Sequence, residues 1–267
     1  MRSLAPLVVC SLILVSPSRA NADGLTWRWN RDAIGCELDQ QLGSASTKIS
    51  ISRNPGTDET LIDFKVRSPN FWRGYYPDGT VALSSGLVFP ARVQVYSAQN
   101  RSYQLAATIT DPNFIKALVD VSTVSIAHKE FGHFDVPVKD MSAAIEALHN
   151  CEGTYLKLWG IDAAAVWALQ ARPVPVQPLQ ELFTTFDYPG TGLAGNMGAD
   201  IIAKLEVGED GAVRSCTWLG PKEHPQFGEA ICKGLKERAR FQAAHDASGR
   251  PVSAPYVTVA KFRIGGY

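Results

Sequence analysis

The stretch IIAKLEVGEDGAVRSCTW, residues 201–218, contains two short runs in which apolar and polar residues alternate. The sequence Gly-Glu-Asp-Gly at residues 208–211 separates the two runs, and glycine and aspartate favour tight turns. Alternation with a period of two is typical of strands that are buried on one face. The stretch therefore predicts a β-hairpin.

The sequence after this hairpin predicts a helix and one more strand. Apolar residues recur every three or four positions in residues 225–240, as on a helix that packs one face on a core. A turn at Asp246–Pro251 and an alternating run at Tyr256–Ile264 follow. The predicted order is ββαβ, which gives a small α+β domain at residues 183–267 with a three-stranded antiparallel sheet.

Residues from about 183 to 265 resemble the C-terminal domain of TonB, a periplasmic module that binds outer-membrane transporters. The order and spacing of short motifs carry the resemblance, rather than any single motif. The matching residues are Tyr188-Pro189, Gly198, Val207–Val213, Cys232–Leu235, Arg238–Phe241, Ala244 and Asp246–Val252. The chain departs from the family pattern at Leu219–Gln226 and at Ala243, where the family is expected to have proline.

In the TonB module an extended peptide of the partner adds to an exposed edge of the sheet. The resemblance therefore implies a protein-binding function, an outer-membrane transporter peptide as the partner, and a link to TonB-dependent transport. The last strand is the expected edge, because terminal strands are commonly edges. The alternative is that this strand only closes a small core. Its candidate partner-binding residues are Tyr256, Thr258, Val259, Lys261, Phe262 and Ile264.

Residues 23–170 are expected to form a β-rich N-terminal domain with two helices. Lys48–Ser52, Leu61–Val66 and Arg92–Tyr96 alternate between apolar and polar residues, and the helices are expected to begin near Asp111 and Asp140. Residues 171–182 contain three closely spaced prolines, which favour extended geometry and predict a short, semi-rigid linker. The whole chain is thus expected to be of the α+β class.

The first 22 residues predict a secretory signal peptide. Arg2 is followed by the apolar run Leu4–Val15, and Ala20-Asn21-Ala22 is a typical cleavage site. An uncleaved anchor is the alternative, but twelve helical residues span only about 18 Å of a hydrocarbon core of about 30 Å. We therefore expect cleavage after Ala22, a periplasmic location, and no membrane span in the mature chain.

The cysteines agree with export. Removing the signal peptide leaves four of the five cysteines, an even number that suits an oxidising compartment. Three pairings are possible, and a division of the chain near residue 170 favours Cys36–Cys151 and Cys216–Cys232. Four buried free thiols are the alternative, whereas zinc is disfavoured because no Cys-x-x-Cys or His-x-x-x-His spacing is present.

Composition argues against nucleic acid as a partner. The chain has 26 Lys and Arg residues against 26 Asp and Glu residues among 267, and no cluster of cations. The aromatic cluster Phe71–Tyr76 is a candidate binding surface, and a corner of the core is the alternative interpretation.

Enzyme motifs are matched only in part. Residues 190–195 fit G-x-G-x-x-G, but a proline-rich segment rather than a buried strand precedes them. His128 and His133 are five residues apart, whereas a zinc protease needs histidines four apart on a helix. We therefore expect no catalytic site, cofactor or metal. The alternative function is a periplasmic envelope enzyme with an unidentified site in the N-terminal domain.

Overall fold

The computed structural model describes residues 27–29, 35–42, 48–67, 74–97, 102–195, 197–220, 222 and 224–263. The predicted signal peptide at residues 1–22, the cluster residues Phe71, Trp72 and Arg73, and the candidate residue Ile264 lie outside these ranges. The described chain is of the α+β class, as expected, and its sheets are antiparallel.

The strands of the N-terminal part form one large sheet. Within the described residues it has nine strands in the order β1-β2-β3-β4-β7-β6-β5-β8-β9, and every neighbouring pair is antiparallel. The strands are β1 (Trp27–Trp29), β2 (Cys36–Gln41), β3 (Lys48–Arg53), β4 (Thr60–Arg67), β5 (Gly74–Leu83), β6 (Val88–Ser97), β7 (Ser102–Ile109), β8 (Thr123–His128) and β9 (Gly132–Pro137).

One face of this sheet carries the core, because alternate residues of each strand point to the same side. Phe64, Val93 and Leu105 from three different strands are fully or almost fully buried there. The sheet is curled so that the chain after its last strand reaches its first strands. The backbone oxygen of Lys139 accepts hydrogen bonds from Trp27 Nε1 at 2.8 Å and from Gln40 Nε2 at 3.1 Å.

Helix α1 (Phe114–Ala117) lies between β7 and β8, and helices α2 (Met141–Leu158) and α3 (Ala163–Trp167) follow β9. Phe114 of α1 and Leu148 of α2 belong to the core of the large sheet. The prediction of two helices was incomplete, because it missed α3, which has only five residues. The predicted start at Asp111 was also wrong: its carboxylate accepts the Asn113 N–H at 2.8 Å in a turn before α1.

The C-terminal part has the predicted ββαβ order. Strands β11 (Ala199–Val207), β12 (Val213–Leu219) and β16 (Ala254–Phe262) form an antiparallel sheet in the order β12-β11-β16, and α5 (Pro225–Arg238) packs on one face through Ile231 and Leu235. The smaller elements are β10 (Val174–Pro175), 3₁₀ helices at Leu179–Leu182 and Thr185–Asp187, α4 (Gly190–Ala194), β13 (Phe241–Gln242), β14 (Ala244–His245) and β15 (Pro251–Val252).

The structure confirms the favoured cysteine pairing. Cys36 of β2 is bonded to Cys151 of α2 with the Cα atoms 5.8 Å apart, so this bond ties the large sheet to its helix. Cys216 of β12 is bonded to Cys232 of α5 with the Cα atoms 5.4 Å apart. Each half of the chain thus carries one disulfide.

Asp187 holds the 3₁₀ helix at Thr185–Asp187 against α5. Its carboxylate accepts hydrogen bonds from the Arg238 guanidinium at 2.7 Å and from the Thr184 backbone N–H at 2.8 Å. The bond from Arg238 is the main reason why the pKa of Asp187 is lowered to about 2.

We expect Asp187→Asn to destabilise the protein more near neutral pH than in acid. Because folding lowers the pKa of Asp187 below its ordinary value of 3.8, the carboxylate stabilises the folded state above that value, and this stabilisation is lost as the pH falls through about 2. Urea unfolding at several pH values measures the difference from the wild type. Glu181→Gln, at an exposed neighbouring position, is the control. A difference in unfolding free energy between Asp187→Asn and the wild type that does not change with pH would contradict the prediction.

Candidate functional site

The proline-rich segment at residues 171–182 is docked rather than extended through solvent. Val174 and Pro175 pair with Gln242 and Phe241, and the Val176 N–H donates to the Arg240 oxygen at 2.9 Å. The segment therefore makes ladder contacts that a free spacer would lack.

Arg172 in this segment reaches into the N-terminal part. Its backbone N–H donates to Asp58 Oδ2 at 2.8 Å, and its guanidinium donates to the Thr57 oxygen at 2.7 Å and to Glu152 Oε1. The side chains of Arg172, Asp58 and Glu152 are each less than a tenth exposed. A buried ion pair thus fixes the segment to α2 and to the turn between β3 and β4.

Opposing effects set the pKa values of the two acids. Burial would raise the pKa of Glu152, but the charges of Arg172 and Arg53 and its hydrogen bonds outweigh burial, and its pKa lies below the ordinary value. Burial dominates at Asp58 and raises its pKa, although Arg172 opposes the shift. Of these two acids, Glu152 is therefore the one whose charged form the arginines stabilise enough to lower its pKa.

A second contact places β16 beside the N-terminal part. Val257 is fully buried and packs in one apolar cluster with Leu156 and Trp159. The Asn54 side-chain amide donates to the Val257 oxygen at 3.0 Å, and Lys204 Nζ donates to the Trp159 oxygen at 3.0 Å. The turn after β3 therefore lies against the middle of β16.

A cleft of about 820 Å³ opens where the two parts of the chain meet. Its first wall is the outer face of the large sheet, where half-buried cross-strand neighbours form a row across five strands. This row is Glu37, Ser52, Leu61, Thr108 and Arg92. Its second wall is β16, and residues 174–180 close one side.

The outer edge of β16 has main-chain groups without partners. In an antiparallel ladder, the N–H and C=O groups of successive residues point alternately toward the neighbouring strand and away from it. The Val257 oxygen accepts a hydrogen bond from Asn54 and therefore points away from β11. Because Val259 and Lys261 follow Val257 at alternate positions, their main-chain N–H and C=O groups also point away from β11. Within the described part of the chain, the main-chain groups of Val259 and Lys261 have no hydrogen-bond partner.

The candidate partner-binding residues differ in accessibility. Tyr256, Thr258, Val259 and Lys261 line the cleft, but Tyr256 is buried and makes an edge-to-face contact with Phe241, with the ring centroids 4.8 Å apart. Phe262 packs against Tyr188 and Phe227 in the core of the C-terminal part. Thr258, Val259 and Lys261 are thus the described candidates that a partner could contact.

Sequence reasoning missed Glu59 and Arg92 as cleft residues of the N-terminal part. Glu59 precedes β4 and lies 3.7 Å from Arg92 Nη2. Burial raises the pKa of Glu59, and the charge of Arg92 opposes this shift. Alternation in Arg92–Tyr96 signalled a polar face on that strand, but no sequence pattern indicates that this face lies opposite β16.

His128 is a structural residue. Its Nε2 lies 2.9 Å from Asp78 Oδ1, and its Nδ1 accepts the Glu130 N–H at 3.2 Å, so Nε2 carries the donated proton. Hydrogen bonds from His128 and then Lys129 lower the pKa of Asp78 to about 2. His133 lies on β9 and is largely exposed.

The segment that fits G-x-G-x-x-G does not directly follow a strand. Residues 190–194 form α4, and a 3₁₀ helix rather than a strand precedes them. Across the described ranges, no group of His, Cys, Asp and Glu side chains is placed to hold a metal ion.

Of the aromatic cluster, Tyr76 is buried beside His128, whereas Tyr75 is half exposed and lines the cleft.

No helix in the described part of the chain is both long and apolar enough to cross a membrane.

Comparison with known proteins gives no assignment: no family model matches the sequence, and no curated protein matches it.

Proposed function

We propose that this chain is an exported protein-binding protein that takes up an extended segment of its partner along β16. The observation that carries this proposal is the outer edge of β16, where the main-chain groups of Val259 and Lys261 point into a cleft and have no hydrogen-bond partner among the described residues. Such an edge is a template for pairing with another strand, and main-chain hydrogen bonds then supply affinity.

Two further features support the proposal. The disulfides suit a protein that folds in an oxidising compartment, here the periplasm. The ββαβ order with β16 at the edge agrees with the resemblance of residues 183–265 to the TonB C-terminal domain. On that resemblance we propose an outer-membrane transporter peptide as the partner and a link to TonB-dependent transport, without an enzymatic activity.

Val259→Pro is the variant that tests this function. Proline removes the N–H that points into the cleft and leaves the ladder with β11 complete, so the fold should persist. We expect capture of an outer-membrane transporter from envelope extract to fall about tenfold, because a lost main-chain hydrogen bond and a displaced strand together cost about 1.4 kcal/mol. The oxidised mature chain is the bait, and the bound transporter is quantified by mass spectrometry.

Val259→Ala is the matched control, because it shortens the same side chain and keeps the N–H. It should capture clearly more transporter than Val259→Pro does, because the main-chain hydrogen bond is kept. Circular dichroism and the melting temperature establish that Val259→Pro is folded. Equal capture by the proline variant, or no transporter captured by the wild type, would overturn the proposal.

A further inference from the structure

The outer edge of β16 is closed at one end by the N-terminal part. Pro255 has no N–H, and the Val257 oxygen is already bonded to Asn54. Val257 is fully buried, and the Cα of Gly56 lies so close that an added Cβ would be 3.7 Å from Val257 Cγ2. A strand that pairs with Val259 and Lys261 must therefore end against the turn at residues 54–57.

A loosely paired carboxylate lies at this closed end. The Glu59 side chain is 40% exposed, and Arg92, at 3.7 Å, is its ion-pair partner. Among the described residues, none donates a hydrogen bond to the Glu59 carboxylate. Glu59 and Arg92 line the same cleft as Tyr256, Thr258 and Val259, which places the pair beside β16.

The remaining charges of the cleft are distributed unevenly. Among the described residues that line the cleft, the wall formed by the large sheet contributes the acids Glu37 and Glu59 and the cation Arg92. Toward the open end, Lys261 lies opposite Asp200 in the ladder, and Asp200 is paired with Arg263 at 2.6 Å. At the closed end, Glu59 is thus the acid of the cleft wall, and Arg92 offsets its charge without donating a hydrogen bond.

We propose that the partner segment presents a lysine or arginine side chain to Glu59 while its main chain pairs with Val259 and Lys261. This inference rests on the proposed function. A docked strand expels water from the cleft, and a carboxylate that loses water without gaining a donor is destabilised. A basic side chain supplies a charge-assisted hydrogen bond, whereas an acidic side chain adds repulsion.

Three capped heptapeptides, Ser-Thr-Val-X-Val-Thr-Ser with X as Lys, Gln or Glu, test the preference. They are titrated into the oxidised mature chain, and binding is followed by NMR through the amide signals of Val259 and Lys261. We expect the Lys peptide to bind about tenfold more tightly than the Gln peptide and the Glu peptide to bind most weakly. In Glu59→Gln the three affinities should agree within about twofold, whereas Glu209→Gln, in an exposed turn, should keep the preference.

The outcomes separate this inference from the function on which it rests. If all three peptides shift the Val259 and Lys261 signals with equal affinity, the preference for a basic side chain is wrong and the β16 edge still binds strands. Tightest binding of the Glu peptide would likewise overturn the inference and assign recognition to Arg92. If no peptide shifts those signals, both the inference and the proposed function are contradicted.

Discussion

Arg172→Met is expected to lower the free energy of unfolding by about 3–5 kcal/mol, because it removes the larger of the two arginine charges that offset the buried Glu152 carboxylate. The Arg172 guanidinium contacts Glu152, whose side chain is 1% exposed, and the Thr57 backbone oxygen. Methionine has a similar length and no charge, so it fills the space and supplies no donor. Urea unfolding of the oxidised mature chain measures the loss.

The loss of unfolding free energy in Arg172→Met should depend on pH. The pKa of Glu152 is lower in the folded protein than its ordinary value of 4.5, so its charge stabilises the fold above that pH. That stabilisation is lost as the pH falls and Glu152 becomes protonated. The difference in unfolding free energy between Arg172→Met and the wild type should therefore become smaller in acid.

Arg214→Met is the matched control, because Arg214 pairs with Asp210 on an exposed hairpin and more than half of each side chain is accessible. Exposed ion pairs contribute about 0–1 kcal/mol, so this variant should stay close to the wild type. Because Arg172 anchors residues 171–182, its loss should also speed cleavage of that segment by protease. Equal stability of the two variants would contradict the role assigned to Arg172.

Removing the disulfide between Cys36 and Cys151 is expected to destabilise the protein more than removing the one between Cys216 and Cys232. The first pair is separated by 115 residues and the second by 16. Chain-entropy arguments give about 4.7 kcal/mol for a loop of 100 residues and about 3 kcal/mol for a loop of 15. Cys36 is also fully buried, so its replacement by alanine leaves a cavity in the core of the large sheet.

The two double-alanine variants, Cys36→Ala/Cys151→Ala and Cys216→Ala/Cys232→Ala, are compared by urea unfolding under identical conditions. Each variant keeps the other disulfide, which makes each the control for the other. We expect the first variant to lose at least about 1.5 kcal/mol more than the second. The reverse order would show that loop length does not govern the contribution of these bonds.

The sequence predicted those features that depend on local patterns. Alternation in residues 201–218 predicted the hairpin, and the spacing of Phe227, Ile231 and Leu235 predicted α5. The division of the chain near residue 170 led to the correct disulfides. These features follow from periodicity and chain order, which one sequence displays directly.

The cleft depends on tertiary placement and could not be predicted from local patterns. Arg172 lies among prolines, where a charged residue indicates a solvated linker, yet it is buried against Glu152. The hydrogen bond from Asn54 to Val257 spans 203 positions of sequence. The polar face that carries Arg92 becomes a wall of the cleft because the C-terminal part docks against it.

Hydrogen exchange at Val259 and Lys261 tests the central claim most directly. The transporter segment recovered with the wild-type chain is added to the labelled oxidised chain, and amide exchange is followed by NMR. We predict that both amides exchange rapidly in the free protein and at least about a hundredfold more slowly in the complex, whereas the Thr258 amide, which points toward β11, is protected in both states. Amides at Val259 and Lys261 that stay in rapid exchange while the segment is bound would contradict the claim that β16 is the binding edge.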